Sequence, residues 1–279
     1  MAATFSLEIF PPKTEDGDNS LKAVLAELAP LGPKLMTVTY GAGGSARERT
    51  KSMVRELAAT YKFPVAAHLT CVDASRDEVD AIANDYWESG VKHLVAIRGD
   101  MPAGAPYKAH PDGYPYAVDM VQGLMKLHDF DFTVAAYAEG HPEAPSLSFD
   151  MDNLKRKLDA GAQRAVTQFF FDPELFLRFR DRAVKSGIHK PIIPGLVPVL
   201  NFSKTKSFAQ RCGAPIPNFL AQIFEGLEPT ELNHKLFAMN VLSHQITRLA
   251  AEGVDHFHFY TLNETLLTRH ICRWLQLGF

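Results

Sequence analysis

The 279-residue chain lacks long hydrophobic runs and a basic excess. No stretch of about 18 apolar residues occurs, so no membrane-spanning helix is expected. The N-terminus has no charged segment followed by an apolar one, as a secretion signal would have, so a soluble cytoplasmic protein is expected. The 29 Lys and Arg against 32 Asp and Glu argue against nucleic acid as a partner.

Cysteine is scarce and repeats are missing. Cys71, Cys212 and Cys272 are odd in number, widely spaced and form no CxxC pattern. They are therefore interpreted as reduced thiols, and no metal site is expected. Because no internal repeat, low-complexity tract or interdomain linker is found, residues 1–279 are expected to form one domain.

Eight apolar, β-branched runs alternate with helical patterns. Most runs are continuously apolar, which is typical of strands buried on both faces of a parallel sheet. Eight such alternations predict an α/β fold of the (β/α)8 TIM-barrel type. The alternative is an open doubly wound sheet, but GxGxxG is missing after the first run. The predicted strands are Phe5–Phe10, Leu35–Tyr40, Val65–Thr70, His93–Arg98, Phe132–Tyr137, Ala165–Phe170, Ile192–Leu196 and His256–Tyr260.

Local signals add detail to this barrel. Ser75 and Glu78 have the spacing of a capping box, and Asp172 followed by proline predicts a helix start. Met101–Tyr114, rich in Pro, Gly and Ala, is predicted to be a mobile loop over the site. Pro217–Glu252 is predicted to be a helical segment inserted before the last strand, with apolar surface for a homo-oligomer contact.

Polar residues stand at the ends of three predicted buried strands. Glu8 lies near the end of the first run, His68 near the end of the third, and Asp100 directly after the fourth. A TIM barrel builds its active site from such positions at the C-terminal face, so an enzyme is predicted. A lone histidine in an apolar strand, such as His68, is more commonly a hydrogen-bonded core residue.

Three further features are compatible with ligand binding. The glycines of residues 39–44 either let a ligand approach the backbone or form a tight turn. Asp150, Asn153, Arg156 and Lys157 share one helical face, which would suit a ligand with hydroxyls and phosphates; a solvated, salt-bridged face is the alternative. Gln168, at the end of an apolar strand, can both donate to and accept from a heterocycle.

Taken together and in order along the chain, these segments resemble the methylenetetrahydrofolate reductase family. The matching stretches are Glu8-Ile-Phe-Pro-Pro12, Val38-Thr-Tyr-Gly-Ala-Gly-Gly44, His68-Leu-Thr-Cys71, Arg98-Gly-Asp100, Ala135-Ala-Tyr137, His141-Pro-Glu143, Asn153-Leu-Lys-Arg-Lys157, Thr167-Gln-Phe-Phe-Phe171 and His256-Phe-His-Phe-Tyr-Thr-Leu-Asn263. The resemblance ends with the barrel, as in the short bacterial members, so no regulatory domain is expected.

The resemblance implies FAD bound in a barrel and a ping-pong reaction. NAD(P)H reduces the flavin and leaves, and methylenetetrahydrofolate then accepts the hydride to become 5-methyltetrahydrofolate. By similarity Glu8 is the general acid and Asp100 an anion near flavin and folate; burial in an apolar strand predicts a raised pKa for Glu8. The implied flavin contacts are Thr39, Tyr40, His68, Arg98, Gly99, Asp100, Tyr116, Ala117, Tyr137, His141, Asp150, Asn153, Arg156 and Lys157.

The folate contacts implied by the resemblance are less complete. Gln168 is expected to hold the pterin edge and Phe208 to cover the shared substrate position. Two positions depart from the family pattern: Glu264 stands where an arginine usually meets the glutamate tail, and Lys204 where a glutamine commonly contacts the folate. We expect Lys204 or Arg269 to supply the missing cation.

Three other functions stay open on the sequence alone. A proline-dehydrogenase-like flavoprotein would share the barrel and the flavin. A pterin methyltransferase would share the barrel and the pterin but would use no flavin. A noncatalytic flavin-binding or folate-binding module would have lost turnover, although Glu8 and Asp100 are both present. The choice between NADH and NADPH also stays open.

Overall fold

Nine parallel strands form one continuous sheet. The computed structural model describes residues 3–12, 14–40, 44–101 and 105–278, with only the backbone of 15 and 44–47. The strands are β1 (Thr4–Ile9), β2 (Leu35–Val38), β3 (Val65–Thr70), β4 (His93–Ile97), β5 (Asp131–Ala136), β6 (Arg164–Thr167), β7 (Ile192–Ile193), β8 (Gly195–Leu196) and β9 (His256–Tyr260).

The two ends of the sheet are neighbours in the chain. The strand order is β7-β6-β5-β4-β3-β2-β1-β9-β8, and only Pro194 separates β7 from β8. Proline has no N–H to donate, so it divides the predicted strand Ile192–Leu196 into two short segments. The Pro194 carbonyl still accepts from His258 N at 3.0 Å. Because β7 and β8 together fill one position, the nine strands occupy eight barrel positions. The predicted TIM-type barrel is confirmed.

Helices surround this sheet. They are α1 (Glu15–Leu28), α2 (Gly44–Thr60), α3 (Arg76–Glu88), α4 (Ala117–Leu124), α5 (Leu147–Asp159), α6 (Pro173–Lys185), α7 (Phe202–Cys212), α8 (Asn218–Phe224), α9 (Leu232–Ala251) and α10 (Leu266–Leu277), with a 3-10 turn at Ala29–Leu31.

The predicted helix starts are confirmed. The Ser75 hydroxyl accepts from Glu78 N at 3.3 Å, and the Glu78 carboxylate accepts from Ser75 N at 2.8 Å. Asp172 accepts from Glu174 N at 3.0 Å, with Pro173 in the first turn of α6. These bonds satisfy backbone amides that the first helical turn leaves without partners.

The strands β1 and β9 separate the apolar core from the barrel interior. Their odd-numbered residues, among them Leu7, Phe257 and Phe259, belong to the large apolar cluster that packs against the helices. Their even-numbered residues point the other way, because successive side chains of a strand alternate between its faces. Those residues are polar and line the inside of the barrel.

The predicted helical insertion before the last strand is present as α8 and α9. Leu220, Phe224 and Ala238 of these helices pack in a second buried cluster with Phe169 from the end of β6. Four large apolar side chains remain exposed on the same segment: Phe219, Leu232, Leu236 and Phe237. A homo-oligomer contact through this segment stays a prediction.

Candidate functional site

A single cavity of about 1140 Å³ runs along the barrel axis. At one end Asp100 and Phe208, which follow the carboxyl ends of strands, line it. At the other end it is lined by Lys34 and Asp255, which precede β2 and β9. The cavity is larger than the roughly 300–1,000 Å³ of a pocket for a drug-sized ligand. It therefore has room for a dinucleotide-sized cofactor.

Three layers of polar side chains cross the interior between β1 and β9. The register pairs Thr4 with His256, Ser6 with His258, and Glu8 with Tyr260. Interior layers of TIM barrels are usually bulky and aliphatic. Polar layers that are buried must satisfy their own hydrogen bonds, so this departure points to chemistry inside the barrel.

Glu8 is the deepest carboxylate of the cavity, with only 6% of its surface exposed. Its Oε2 lies 3.2 Å from His68 Nε2 and 3.5 Å from His258 Nε2, and Thr37 donates to it at 3.4 Å. The His68 contact is a close electrostatic one whose angle departs from that of a hydrogen bond.

The predicted raised pKa of Glu8 is wrong for the observed arrangement. Burial alone would raise the pKa, but the charge of His68 and the contacts with both imidazoles bring it down to about 2. The sequence-based expectation considered only Leu7 and Ile9, whose side chains point away from the carboxylate. Glu8 is therefore an anion at neutral pH in this arrangement.

The segment after β9 fixes the end of β1. Thr261 donates to the Glu8 carbonyl with its hydroxyl at 2.7 Å and its amide at 3.2 Å. Asn263 accepts from Phe10 N at 2.9 Å and donates to Phe10 O at 2.8 Å. Leu262 and Asn263 both have left-handed backbones, with φ of 51° and 57°. This local strain is tolerated because the bonds hold Glu8 in one place.

The upper cavity is the part at the carboxyl ends of the strands, and Arg98, Gly99 and Asp100 form one wall of it. The Arg98 guanidinium pairs with Glu143 and lies 4.4 Å from the ring centre of Tyr107. Gly99 has φ of +86°, and a Cβ there would overlap Val72, so only glycine fits. The Asp100 carboxylate is exposed, 3.9 Å from Arg98.

The predicted helical face of α5 lines the same cavity. Asp150 accepts from His141 N at 3.1 Å, and Arg156 donates to Asn153 at 2.8 Å. Lys157 donates to the Ala135 carbonyl at 2.5 Å. Burial lowers the pKa of Lys157 to about 8, with Asp150 opposing the shift.

The remaining predicted flavin contacts also line the cavity. They are Thr39, Tyr40, Tyr116, Ala117 and Tyr137. Tyr137 packs edge-on against His141 at 4.7 Å between ring centres. Residues 41–43 of the predicted glycine loop and 102–104 of the predicted mobile loop lie outside the described residues.

Gln168 and Phe208 reach the cavity from β6 and α7. The Phe208 ring stacks on Phe169 at 5.0 Å between ring centres. The Gln168 side chain is half-buried directly after β6, with Oε1 accepting from Phe169 N at 3.0 Å. The two side chains thus offer an amide and an aromatic face to the same space.

The three residues considered for the glutamate tail lie elsewhere. Arg269 pairs with Glu27 at 2.9 Å, where α10 packs against α1, and it does not line the described cavity. Glu264 accepts from Leu266 N at 2.8 Å and so caps α10. Lys204 is exposed on α7, one turn before Phe208. The proposed role of Arg269 is therefore not supported by its position.

Sequence reasoning missed several residues of the site. The hydroxyl of Ser6 and the imidazoles of His256 and His258 occupy the barrel interior, and Glu143 and Tyr107 engage Arg98. A signal was available for the first three. Thr-Phe-Ser-Leu-Glu and His-Phe-His-Phe-Tyr alternate polar and apolar residues, a pattern of period two that marks two differently used faces. Glu143 and Tyr107 lie in loops, where no such period exists.

The upper cavity fits an anionic, hydroxyl-bearing cofactor. Arg98, Arg156 and Lys157 bring three cations to its wall, while Asp150 and Asn153 add acceptors for hydroxyls. The half-buried amine of Lys157 is desolvated, and a bound phosphate would stabilise its charged form. These residues match the chemistry of the pyrophosphate and ribose hydroxyls of a dinucleotide.

Neither a membrane-spanning helix nor a metal-binding group is found among the described residues. Among those residues no helix is both long and apolar enough to cross a membrane. In the same part of the chain no group of three or more His, Cys, Asp or Glu side chains could hold a metal ion.

Comparison with solved structures shows the fold. A protein from Clostridium thermocellum, described as binding two copies of 5-methyl-5,6,7,8-tetrahydrofolic acid, superposes with a TM-score of 0.68 and 15% identity. The match covers 98% of this chain and 96% of that one. A dihydropteroate synthetase superposes with a TM-score of 0.53 at 11% identity, covering 99% and 95%.

Sequence comparison identifies the family. The family model for methylenetetrahydrofolate reductase matches residues 1–276. The 5,10-methylenetetrahydrofolate reductases of Salmonella typhimurium and Escherichia coli are each 46% identical over 272 residues, covering 97% of this chain and 90% of theirs. Methylenetetrahydrofolate reductase (NADH) 1 of Arabidopsis thaliana is 31% identical over 271 residues, 93% of this chain and 46% of that protein. The chain belongs to the methylenetetrahydrofolate reductase family.

Proposed function

We propose that this protein reduces 5,10-methylenetetrahydrofolate to 5-methyltetrahydrofolate, using FAD as cofactor and NAD(P)H as reductant. Family membership supports the folate reaction. The observation that carries the rest is one cavity lined both by the buried Glu8 carboxylate and by the cation-bearing face of α5. An acid for the substrate and a binding surface for a dinucleotide thus share one space.

The cofactor is held from the upper wall. Arg156 and Lys157 would neutralise the pyrophosphate, Asp150 would accept from hydroxyls, and Asn153 could both accept from and donate to them. Arg98 and Tyr137 border the space for the flat ring system. A bound flavin supplies the two-electron chemistry, since it accepts a hydride from one ligand and passes it to another.

The folate occupies the space beside Gln168 and Phe208. The amide of Gln168 matches a ring edge that both donates and accepts, and Phe208 presents an aromatic face. Lys204 lies four residues before Phe208 and therefore on the same side of α7. Its ammonium is the proposed cation for a glutamate tail.

The proton for the folate comes from the Glu8 cluster. Glu8 passes it to the ring nitrogen of the substrate, which opens the five-membered ring to an iminium that accepts the hydride. Because its lowered pKa keeps Glu8 ionised, the carboxylate has to receive a proton before it can transfer one. Asp100, an exposed carboxylate on the cavity wall, stabilises the cationic iminium.

The reductant precedes the folate at the same position in a ping-pong reaction. One aromatic face, that of Phe208, serves both flat ligands in turn. The name of the Arabidopsis relative supports NADH. The nicotinamide needs no proton donor at Glu8, so the two half-reactions make different demands on the site.

Anaerobic half-reactions test this function. NADH or NADPH is expected to bleach the flavin of the purified protein, and methylenetetrahydrofolate is expected to restore its colour with formation of 5-methyltetrahydrofolate. Bleaching by proline but not by NAD(P)H would instead indicate a proline-dehydrogenase-like enzyme. A colourless protein that transfers methyl groups would be a pterin methyltransferase. A bound flavin that the folate never reoxidises would leave a binding module.

A further inference from the structure

A row of hydrogen bonds runs along the barrel axis from its N-terminal end to Glu8. Thr4 Oγ1 lies 2.6 Å from His256 Nδ1, and His256 Nε2 lies 3.2 Å from Ser6 Oγ. Ser6 Oγ lies 2.8 Å from His258 Nδ1, and His258 Nε2 lies 3.5 Å from Glu8 Oε2. Each step joins a group that can both donate and accept.

All four bonds can point the same way at once. His258 donates through Nε2 to the Glu8 carboxylate and accepts at Nδ1 from the Ser6 hydroxyl. Ser6 in turn accepts from His256 Nε2, and His256 accepts at Nδ1 from the Thr4 hydroxyl. Each proton is used once when the Thr4 hydroxyl points to His256 Nδ1 at 2.6 Å instead of to the Asp255 carbonyl at 3.3 Å.

The far end of the row meets solvent. Asp255 is exposed, His256 and Thr4 are half-buried, and the Thr4 hydroxyl also reaches the Asp255 carbonyl at 3.3 Å. Lys34 and Arg164 line the same end of the cavity. Burial, the neighbouring His258 and these cations lower the pKa of His256 to about 4, with Asp255 opposing, so it is neutral at physiological pH. A neutral imidazole can take up a proton at one nitrogen and release one from the other.

The near end of the row is buried. Glu8 is only 6% exposed. Ligands in the upper cavity would cover it further, because the same space holds Phe208 and the α5 face. A carboxylate that gives a proton to a substrate in a closed site needs a second route for reprotonation.

We propose that Thr4, His256, Ser6 and His258 form a proton relay that recharges the Glu8 cluster from the N-terminal end of the barrel while ligands fill the other end. The relay deepens the proposed function and rests on it, since the proton is the one that the folate consumes. None of the four residues touches the substrate; they act through Glu8.

One cycle of the relay balances. A solvent proton binds at the Thr4 hydroxyl, whose own proton passes to Nδ1 of His256. His256 releases its Nε2 proton to Ser6 Oγ, and Ser6 gives its hydroxyl proton to Nδ1 of His258. His258 gives its Nε2 proton to Glu8 Oε2. One proton enters, one reaches Glu8, and no electron changes place. Both imidazoles then carry their proton on Nδ1, so each must exchange it for one on Nε2, and the hydroxyls must turn back, before the next passage.

The test interrupts the row at its smallest member. Ser6→Ala removes the central hydroxyl without adding bulk, and Ser6→Thr keeps a hydroxyl. Thr133→Val is the control, because Thr133 is also a buried inward hydroxyl that accepts a bond, from Arg164 at 3.2 Å, yet lies outside the row. Each variant of the flavin-loaded enzyme is followed through both anaerobic half-reactions.

Ser6→Ala is expected to slow reoxidation by methylenetetrahydrofolate on the order of tenfold, because general acid catalysis contributes roughly 10²–10⁴-fold and depends on a reloaded acid. Reduction by NADH and the folate Kd should stay unchanged, and Ser6→Thr should recover most of the rate. Reoxidation by Ser6→Ala at the wild-type rate would overturn the relay. If wild-type enzyme is never reoxidised by the folate, the proposed function fails instead.

Two readouts separate a relay from a structural role. In wild-type enzyme the folate half-reaction should show a solvent isotope effect that curves with deuterium fraction, since several protons move; in Ser6→Ala the curve should become linear. The pH dependence of that step should also change. Other titratable or charged groups that face the row can contribute to this pH dependence. They are Glu8, His68 and Tyr260 near one end, and Lys34, Asp255, Arg164, His93 and Asp131 near the other. An unchanged isotope effect and profile contradict the relay.

A second measurement needs no variant. Nitrogen-15 NMR of histidine-labelled wild-type enzyme reports which ring nitrogen of each imidazole carries the proton. The relay requires the proton on Nε2 of both His256 and His258 in the resting state at neutral pH. Protons found on Nδ1 of either ring would reverse a bond in the row and overturn the proposal.

Discussion

His68 Nε2 lies 3.2 Å from Glu8 Oε2, although 60 residues separate the two in the chain by their numbers. The contact joins the ends of β1 and β3 across the barrel. It changes Glu8 from a simple buried acid into one member of a carboxylate and imidazole cluster. The chemistry of the site therefore depends on which member carries the proton.

Glu8→Gln is expected to leave flavin reduction by NADH nearly normal and to slow reoxidation by methylenetetrahydrofolate roughly 10²–10⁴-fold. Only the second half-reaction requires a proton for a ring nitrogen. Stopped-flow absorbance of each half-reaction measures the split. Glu88→Gln, at an exposed position at the end of α3, serves as the control. Equal losses in both half-reactions would contradict the acid role.

Asp100→Asn is expected to raise the midpoint potential of the bound flavin. Removing a fixed anion from the cavity wall favours the more negatively charged reduced state. Reduction by NADH should become faster and transfer to the folate slower. Spectroelectrochemical titration gives the potential, with Asp112→Asn in the exposed loop as the control. A potential that stays constant or falls would remove the electrostatic argument.

Arg156→Ala is expected to weaken FAD retention without altering the reactivity of the flavin that stays bound. The guanidinium acts on the pyrophosphate, away from the reacting ring. Flavin released on dilution, measured by fluorescence, gives the effect. Lys155→Ala is a matched control on the same helix, because Lys155 pairs with Asp159 at 2.7 Å. Equal FAD retention in both variants would mean that this helix face is solvated and does not bind the cofactor.

Lys204→Met is expected to raise the KM for methylenetetrahydrofolate and to spare that for NADH, since only the folate carries a glutamate tail. An exposed charge pair contributes about 0.2–1 kcal/mol, so the increase should be a few-fold at most. Lys206→Met, exposed on the same helix, is the control. Arg269→Met is expected to leave the folate KM unchanged, because Arg269 is engaged by Glu27. A rise with Arg269→Met alone would reverse this assignment.

Acid should destabilise the protein in two steps. The folded pKa of His256 is about 4 against an ordinary 6.5, so the unfolded chain binds a proton that the folded one refuses, and stability falls as pH drops from about 6.5 to 4. For Glu8 and Asp131 burial alone would raise the pKa, but their imidazole contacts, and Arg164 at Asp131, lower it to about 2. Their stabilising contribution is present above about 4.5 and is lost as pH falls toward 2.

Thermal unfolding at several pH values checks both steps. The Tm of wild-type protein should fall between pH 6.5 and 4 and continue to fall below pH 4. His256→Asn should flatten the first part and leave the second. A change in Tm between pH 6.5 and 4 that is the same in wild type and His256→Asn would mean that His256 titrates alike in folded and unfolded chains.

The sequence was sufficient to predict the barrel, but not the break between β7 and β8 or the pKa of Glu8. Continuous apolar runs predicted the strands, because both faces of a barrel strand are covered. The break at Pro194 depends on one residue inside a run that otherwise resembles a single strand. The pKa of Glu8 depends on His68 and His258, which only the closed sheet brings to it. The partner of Arg269 on α1 was equally invisible, since a surface ion pair leaves no pattern in sequence.

The alternation in β1 and β9 also limits how these strands can change in length. Deleting one residue from β1 would turn Leu7 inward and push Glu8 into the apolar layer beneath the helices, so folding and chemistry would fail together. Deleting two would preserve the inward and outward faces but shift Glu8 by roughly 6.6 Å along the axis. Deleting an odd number of residues is therefore expected to disrupt the fold, whereas deleting an even number is expected to abolish the reaction alone.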